Sequence, residues 1–173
     1  MQFRLAKKED IPAISAIFEE IHKEEEKNPT VGWIRGVYPT AATAEKALGR
    51  GDLFVQEAEG KMVGTAIINQ IQVDVYAHAP WEHSAPDEQV MVLHTLCISP
   101  AAARRGYGRA FVQFYEEYAH QKGCPYLRID TNAKNTPARG MYQKLGYKEI
   151  AVVPCDFNGI EGVRLVLLDK YLG

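Results

Sequence analysis

The sequence has too few cysteines for a disulfide framework or a thiolate metal site. Cys97, Cys124 and Cys155 are the only three, an odd number that cannot pair completely, and none stands at a Cys-x-x-Cys spacing. We therefore expect reduced thiols, as in the cytoplasm. Positive charge is not in surplus either, because 20 Lys and Arg stand against 22 Asp and Glu, a net charge of −2. A general nucleic-acid binder normally carries the opposite balance, so no nucleic-acid partner is expected.

Long apolar runs are missing as well. Met1–Asp10 holds no apolar core of signal-peptide length, and no segment approaches the roughly 20 apolar residues of a membrane span. We therefore expect a soluble, cytoplasmic protein that has no membrane partner. A chain of 173 residues is long enough for one full-sized core and short for two. A single domain over residues 1–173 is the prediction.

Hydrophobic periodicity predicts strands that alternate with helices. The helices are expected from a cap at Asp10 to an exposed stretch at Lys23–Lys27, over Thr43–Leu48, from Gly108 to Gly123, and from Thr136 to Gly146. The strands are expected at Phe3–Leu5, Leu53–Glu57, Met62–Ile71, Val90–Ile98, Tyr126–Asp130, Tyr147–Val153 and Val163–Leu168. This order of elements predicts an α/β fold of mixed character.

A strand, a glycine-containing turn and a helix follow one another in the middle of the chain. Ile98-Ser99-Pro100 leads through Arg104-Arg105-Gly106-Tyr107-Gly108-Arg109 into an amphipathic helix. The first amides of such a helix are unpaired, so the turn suits a pyrophosphate. A P-loop would need Gly-Lys-Ser/Thr, which is absent, and a dinucleotide fold would need its glycines after the first strand. A merely structural turn remains the alternative from these residues alone.

A second motif follows the next predicted strand and narrows the interpretation. The two motifs together resemble the GNAT superfamily of acyl-CoA N-acyltransferases, and bacterial members of unassigned substrate in particular. The family turn reads Gln/Arg-x-x-Gly-x-Gly/Ala after Leu-x-Val-x-Pro, and the later motif reads Asn-x-x-Ala-x-x-x-Tyr-x-x-x-Gly-Phe/Tyr. The matching residues are Leu96, Ile98, Pro100, Gly106, Gly108, Asn135, Ala138, Tyr142, Gly146 and Tyr147. Ala103 departs from the pattern, because it stands where the family has Gln or Arg.

The resemblance implies a fold and a cosubstrate. The fold would be a mixed, mostly antiparallel sheet with a splayed parallel strand pair, flanked by helices. Acetyl-CoA would lie where that pair separates, with its pyrophosphate on the amides of the turn and its pantetheine arm along the strand before it. No metal is implied. The residues expected to bind the cosubstrate are Leu96, Cys97, Ile98, Arg104, Arg105, Gly106, Tyr107, Gly108, Arg109 and Asn135.

Catalytic roles also follow from the resemblance. Tyr142 would protonate the departing thiolate, although its place on an apolar helix stripe equally fits a core tyrosine. His94 would accept the proton of the amine, and strand alternation puts it on the same side as Leu96. A satisfied core histidine is the alternative for His94. Asn135 would contact the cosubstrate, yet Asn-Thr-Pro is also a good helix start. Cys97 lies beside the expected thioester site, but no base stands at a motif-like spacing from it.

The implied activity is transfer of an acetyl group from acetyl-CoA to a primary amine by direct attack in a ternary complex. Trp33, Tyr38 and Trp81 are expected to frame the acceptor entrance, with a hydrophobic plug under a loop as the alternative. The acceptor is a small-molecule or peptide amine, and polyamines, arylalkylamines, amino acids, antibiotics and peptides all stay open. A homodimer is compatible with the resemblance. A GNAT-fold module that binds acyl-CoA without turnover is the second hypothesis, and Ala103 leaves room for it.

Overall fold

The computed structural model describes residues 1–173 and contains one seven-stranded sheet flanked by four helices. The elements are β1 (Gln2–Leu5), α1 (Ile11–Lys27), α2 (Ala41–Arg50), β2 (Leu53–Ala58), β3 (Lys61–Asn69), β4 (Val90–Ile98), α3 (Tyr107–Gln121), β5 (Tyr126–Asn132), α4 (Thr136–Lys144), β6 (Lys148–Phe157) and β7 (Ile160–Tyr171). The strand order is β1-β2-β3-β4-β5-β7-β6, and only β4 and β5 run parallel. The predicted mixed α/β fold is confirmed.

The predicted elements all occur, and only their ends differ. β4 has the predicted bounds, whereas α2 extends two residues beyond the prediction at each end and β3 ends at Asn69. Asp10 precedes α1 as expected, but its carboxylate accepts bonds from the Lys7 amide at 2.7 Å and from Arg4 instead of capping α1. Asn158-Gly159 forms the turn between β6 and β7. None of the helices is both long and apolar enough to cross a membrane.

Two apolar clusters attach the helices to opposite faces of the sheet. The first joins α1 and α2 to β2, β3 and the end of β4 through Ile14, Ile17, Phe18, Ala44, Ala47, Leu53, Val55, Ile67 and Cys97. The second joins α3 and α4 to the other face through Phe54, Ala66, Ile68, Met91, Leu93, Phe111, Val112, Tyr115, Leu127, Ile129 and Tyr142, among others. The helix predicted to be amphipathic after the glycines is α3, and its apolar face is the one that packs on the sheet.

A β-bulge interrupts β4 at Thr95. Thr65 pairs with Cys97 and Ile67 pairs with His94. Between these two pairs β4 therefore has one residue more than β3. Thr95 has a φ of 51°, in the left-handed region. Because the extra residue breaks the alternation of side chains, Leu96 packs with the α3 cluster, whereas Ile67, the partner of His94, belongs to the opposite face. The expectation that His94 and Leu96 share a side is wrong for this reason.

The parallel strands separate beyond residue 93. Paired positions run from Val90 with Tyr126 to Leu93 with Ile129, and no pairing between β4 and β5 follows. The rest of β5 stays attached to the sheet through β7, where Asp130 pairs with Leu167. The backbone of β4 after Leu93 therefore has no strand partner on the β5 side.

The segment between β3 and β4 folds over the sheet near this opening. Tyr76 lies in a short 3₁₀ turn and is only 2% exposed. Its carbonyl accepts a hydrogen bond from the Trp81 indole at 2.9 Å. The Arg128 guanidinium lies 4.2 Å from the centre of the Trp81 ring, a cation–π contact. This stack anchors the segment to β5.

Candidate active site

A cavity of about 620 Å³ lies where β4 and β5 separate. Its walls come from the turn before α3, the ends of β4 and β5, α4, residues 30–38 and the β6–β7 turn. The structure brings nearly all the predicted site residues to this one cavity: Trp33, Tyr38, His94, Leu96, Cys97, Ile98, Arg104, Gly106, Tyr107, Gly108, Arg109, Asn135 and Tyr142. Arg105 and Trp81 are the two that do not line it.

Those two residues have other contacts. Arg105 is exposed, donates a hydrogen bond to Glu59 at 3.1 Å, and lies over the ring of Tyr107. Trp81 is held between Arg128 and Tyr76, and therefore supports the segment that carries Tyr76. The hydrophobic-plug interpretation fits the position of Trp81 better than contact with an acceptor does.

The turn before α3 presents unpaired backbone amides to the cavity. Gly106 is the cap residue of α3, with φ at 82°, and no side chain caps this helix end. Arg104 has a φ of 64°, so two residues of the turn adopt the left-handed conformation. Arg104 and Arg109 line the same end of the cavity, while Ala103 contributes no polar group. Uncapped amides beside two guanidinium groups fit a pyrophosphate.

Tyr142 projects from α4 and belongs both to the α3 cluster and to the cavity wall. It is 5% exposed and meets Tyr147 edge-to-face at 5.9 Å. Burial, together with nearby Asp130 and Cys97, raises the pKa of its phenol above the ordinary value. The phenol therefore keeps its proton at neutral pH, and its two interpretations, core residue and site residue, are compatible.

His94 is held by a chain of polar side chains behind the cavity. The Asn69 amide is oriented by its neighbours: Oδ1 accepts the Ile71 amide at 3.0 Å, and Nδ2 donates to Asp52 at 2.9 Å. Oδ1 is therefore the acceptor for His94 Nε2, 2.7 Å away. Burial lowers the pKa of His94 to about 4, so the imidazole is neutral at pH 7. With the proton on Nε2, Nδ1 is the nitrogen that can accept another.

Asp130 is a site residue that the sequence reasoning missed. It is the only acidic side chain in the cavity wall, and its Oδ2 accepts a hydrogen bond from the Tyr76 hydroxyl at 2.6 Å. Burial raises its pKa to about 6, against the opposing effect of that hydrogen bond. One sequence signal was available, because Asp130 ends the predicted strand whose parallel neighbour carries His94, and ligands meet α/β sheets at the carboxyl ends of such strands.

Glu25 was missed as well, and it shapes the part of the cavity wall that residues 30–32 form. It is only 8% exposed, although it falls in the stretch expected to be solvated. Its carboxylate accepts the backbone amides of Thr30 at 2.8 Å, Val31 at 2.9 Å and Gly32 at 2.7 Å, all of which line the cavity. The spacing of four residues from Ile21 places Glu25 on the buried helix stripe, which was the available signal.

Asn135 and Cys97 also have structural roles. Asn135 Oδ1 accepts the amide of Ala138 at 3.3 Å and so caps α4, as its local sequence suggested, while the residue also lines the cavity. Cys97 is 1% exposed, and burial raises the pKa of its thiol. No base hydrogen-bonds it, so the thiol stays neutral and unsuited to nucleophilic attack.

Comparisons with known proteins concern the family and the fold. The model of the acetyltransferase (GNAT) family matches residues 18–147. YhfO, an uncharacterized N-acetyltransferase of Bacillus subtilis strain 168, is 30% identical over 70 residues, which are 40% of this chain and 47% of that protein. The chain spans about half the length of the curated relatives it matches.

Solved structures are similar over nearly the whole chain. A GNAT-family acetyltransferase from Streptococcus agalactiae 2603 superposes with a TM-score of 0.83 at 26% identity, over 98% of this chain and 94% of that one. A Salmonella typhimurium acetyltransferase solved with its cofactor acetyl-CoA has a TM-score of 0.69 at 19% identity, over 100% and 94% of the two chains. At that identity the second likeness concerns the fold alone.

Proposed function

The chain belongs to the acetyltransferase (GNAT) family, and on this premise we propose that it transfers the acetyl group of acetyl-CoA to a primary amine by direct attack. The observation that carries the proposal is the one cavity of about 620 Å³ that joins the α3 N-terminus, the separated strands and Tyr142. A ternary complex needs a pyrophosphate site, a thioester site and a path for the attacking amine to meet in one place, which this cavity supports. Acetyl-CoA supplies the activated thioester, and this chain supplies position and protons.

The donor end of the cavity suits acetyl-CoA. The amides of the Arg104–Arg109 turn would hold the pyrophosphate, with the Arg104 and Arg109 side chains beside it. Because Ala103 offers no hydrogen bond, binding rests on these amides and guanidinium groups. The β4 backbone beyond Leu93 has no strand partner on the β5 side, so it is free to pair with the pantetheine arm. An amide of the same strand can stabilise the developing oxyanion.

The proton transfers can be assigned to two side chains. As the amine nitrogen bonds to the carbonyl carbon it becomes cationic and acidic, so a weak base suffices, and neutral His94 accepts its proton. The carbon–sulfur bond then breaks, and Tyr142 donates its phenolic proton to the departing sulfur. Solvent or His94 returns a proton to the phenolate. Free CoA and an N-acetyl product result, without a covalent enzyme intermediate.

The test is the release of CoA thiol with acetyl-CoA and a panel of primary amines, with the products identified by mass. In Tyr142→Phe we expect kcat to fall about 100-fold, the scale of general acid catalysis, with the Kd for acetyl-CoA unchanged. Tyr147→Phe is the matched control, because its hydroxyl bonds Glu116 and not the cavity. Wild-type turnover in Tyr142→Phe would remove the general-acid assignment. Tight acetyl-CoA binding without any amine-dependent release would favour the non-catalytic module.

A further inference from the structure

The acceptor side of the cavity combines apolar walls with one uncompensated carboxylate. Ile21, Val31, Trp33, Val73, Phe157 and Ile160 provide the apolar surface. Arg104 and Arg109, the only cationic side chains of the wall, belong to the turn at the donor end, and Asp130 is the only anionic one. Apart from neutral polar side chains such as Tyr38, Asn132 and Asn158, the lining thus offers a ligand apolar contact and one anionic site for a positive charge.

Asp130 has no cation of its own. Its Oδ2 accepts the Tyr76 hydroxyl at 2.6 Å, and no Lys or Arg forms an ion pair with it. Part of the side chain faces the cavity, yet burial is deep enough to raise its pKa to about 6. A carboxylate withdrawn from water is costly unless a cation compensates it. In this site the missing cation can come only from a ligand, and Oδ1 is the oxygen that no protein group uses.

The carboxylate is also held in a fixed position. The Tyr76 hydroxyl that bonds it belongs to a side chain that is 2% exposed. The Tyr76 carbonyl is in turn bound by the Trp81 indole, which stacks on Arg128. A chain of contacts therefore runs from β5 through the overlying segment and back to the carboxylate on the same strand. Such support from a surrounding shell is typical of residues that position a ligand.

We propose that the acceptor is a small primary amine with a single nitrogen on an apolar body, bound in its ammonium form by Asp130 and through its body by Trp33 and Phe157. The bound ammonium gives one proton to solvent before the free amine attacks, and His94 takes the second proton after the bond to the carbonyl carbon has formed. The proposal rests on the transferase function proposed above. An acceptor with several ammonium groups would leave all but one of them desolvated and unpaired. An amino acid would bring its own carboxylate toward Asp130, where like charges repel. Both classes are therefore poor acceptors.

The experiment compares four probes: phenethylamine, hexylamine, spermidine and kanamycin. We expect kcat/KM for the first two to exceed that for the polycations at least 10-fold. Asp130→Asn keeps an acceptor for the Tyr76 hydroxyl but removes the charge, and we expect KM for phenethylamine to rise at least 10-fold with the Kd for acetyl-CoA unchanged. Asp74→Asn, on the exposed part of the same segment as Tyr76, is the matched control.

A binding measurement separates failure of this inference from failure of the transferase function. Phenethyltrimethylammonium cannot be acetylated, whereas phenylpropanol is neutral and of similar shape. Calorimetry with the wild-type protein should detect the cation and not the alcohol, and Asp130→Asn should abolish the difference. Binding of the cation without turnover of any amine would overturn the transferase function and leave the acceptor-site assignment standing. Faster turnover of spermidine or kanamycin, or equal binding of the alcohol, would overturn the assignment itself.

Discussion

His94 and Asp130 are the first residues beyond the last paired position of the parallel strands, Leu93 with Ile129. Each of the two separated strands therefore places one titratable side chain at the fork, and both line the cavity. Burial acts on them in opposite directions, lowering the pKa of His94 to about 4 and raising that of Asp130 to about 6. At neutral pH the fork holds a neutral imidazole on β4 and, on β5, a carboxylate that ionises just below neutrality.

The first prediction concerns the pH profile of kcat/KM for the amine. A carboxyl group with its pKa raised to about 6 is charged above that pH and neutral below it. Ammonium binding should therefore weaken about tenfold for each pH unit below 6. Protonation of the amine affects both proteins equally. The ratio of wild-type to Asp130→Asn kcat/KM, measured between pH 4.5 and 8, therefore reports the ionisation of Asp130 alone. A ratio that stays flat across pH 6 would contradict ionisation of Asp130 in this range.

The second prediction concerns His94 as the base. His94→Gln keeps a polar side chain that can reach Asn69 but removes the proton acceptor. We expect kcat to fall about 100-fold, the scale of general base catalysis, while the Kd for acetyl-CoA stays the same. Because the pKa of His94 is lowered to about 4, its neutral form persists above that pH, and wild-type kcat should show no histidine inflection between pH 5 and 8. An unchanged kcat in His94→Gln would mean that His94 is not the general base and that another group accepts the proton.

The sequence predicts the strands and turns that surround this site better than the positions of the side chains inside it. The run Val90–Ile98 identifies β4 to the residue, because a continuous apolar segment of strand length has few other interpretations. The turn and the later motif likewise predict the cavity end that Gly106 and Tyr142 form. What periodicity cannot reveal is the bulge at Thr95, since one extra residue leaves the hydrophobic pattern of both flanking halves intact.

Asp130 and Glu25, on the proposed acceptor side of the cavity, could not be predicted from the sequence for a different reason. Asp130 ends a strand and Glu25 sits in a run of charged residues, positions where polar side chains are ordinary and usually solvated. Their importance depends on contacts that are remote from the local pattern. Tyr76 reaches Asp130 from a segment without periodicity, and the amides that bind Glu25 come from the loop after its helix. Tertiary packing, which one sequence does not display, decides both.

The third prediction concerns Glu25, which holds the loop of residues 30–32 after α1. Glu25→Ala removes the acceptor of three backbone amides, at Thr30, Val31 and Gly32. We expect the free energy of unfolding to fall by about 1–3 kcal/mol, the cost of leaving such donors unmatched, and KM for the amine to rise. Glu24→Ala, at an exposed position one residue earlier, is the control for denaturant unfolding and kinetics. Equal behaviour of the two variants would mean that the carboxylate does not hold the loop.

The fourth prediction concerns the turn that leads into α3. Gly106 has a φ of 82°, a conformation that costs an L-residue about 1–2 kcal/mol. Gly106→Ala should therefore lower the free energy of unfolding by about that amount and weaken acetyl-CoA binding, because the amides of the turn shift together. Gly49→Ala is the matched control, since Gly49 lies inside α2, outside the left-handed region and with open space around it. There the added methyl group should raise helix stability by about 0.5–1 kcal/mol and leave the Kd for acetyl-CoA unchanged. Denaturant unfolding and calorimetric titration with acetyl-CoA measure both effects. If Gly106→Ala bound acetyl-CoA as tightly as Gly49→Ala does, the donor pyrophosphate would have to be held by the arginine side chains and not by the backbone of the turn.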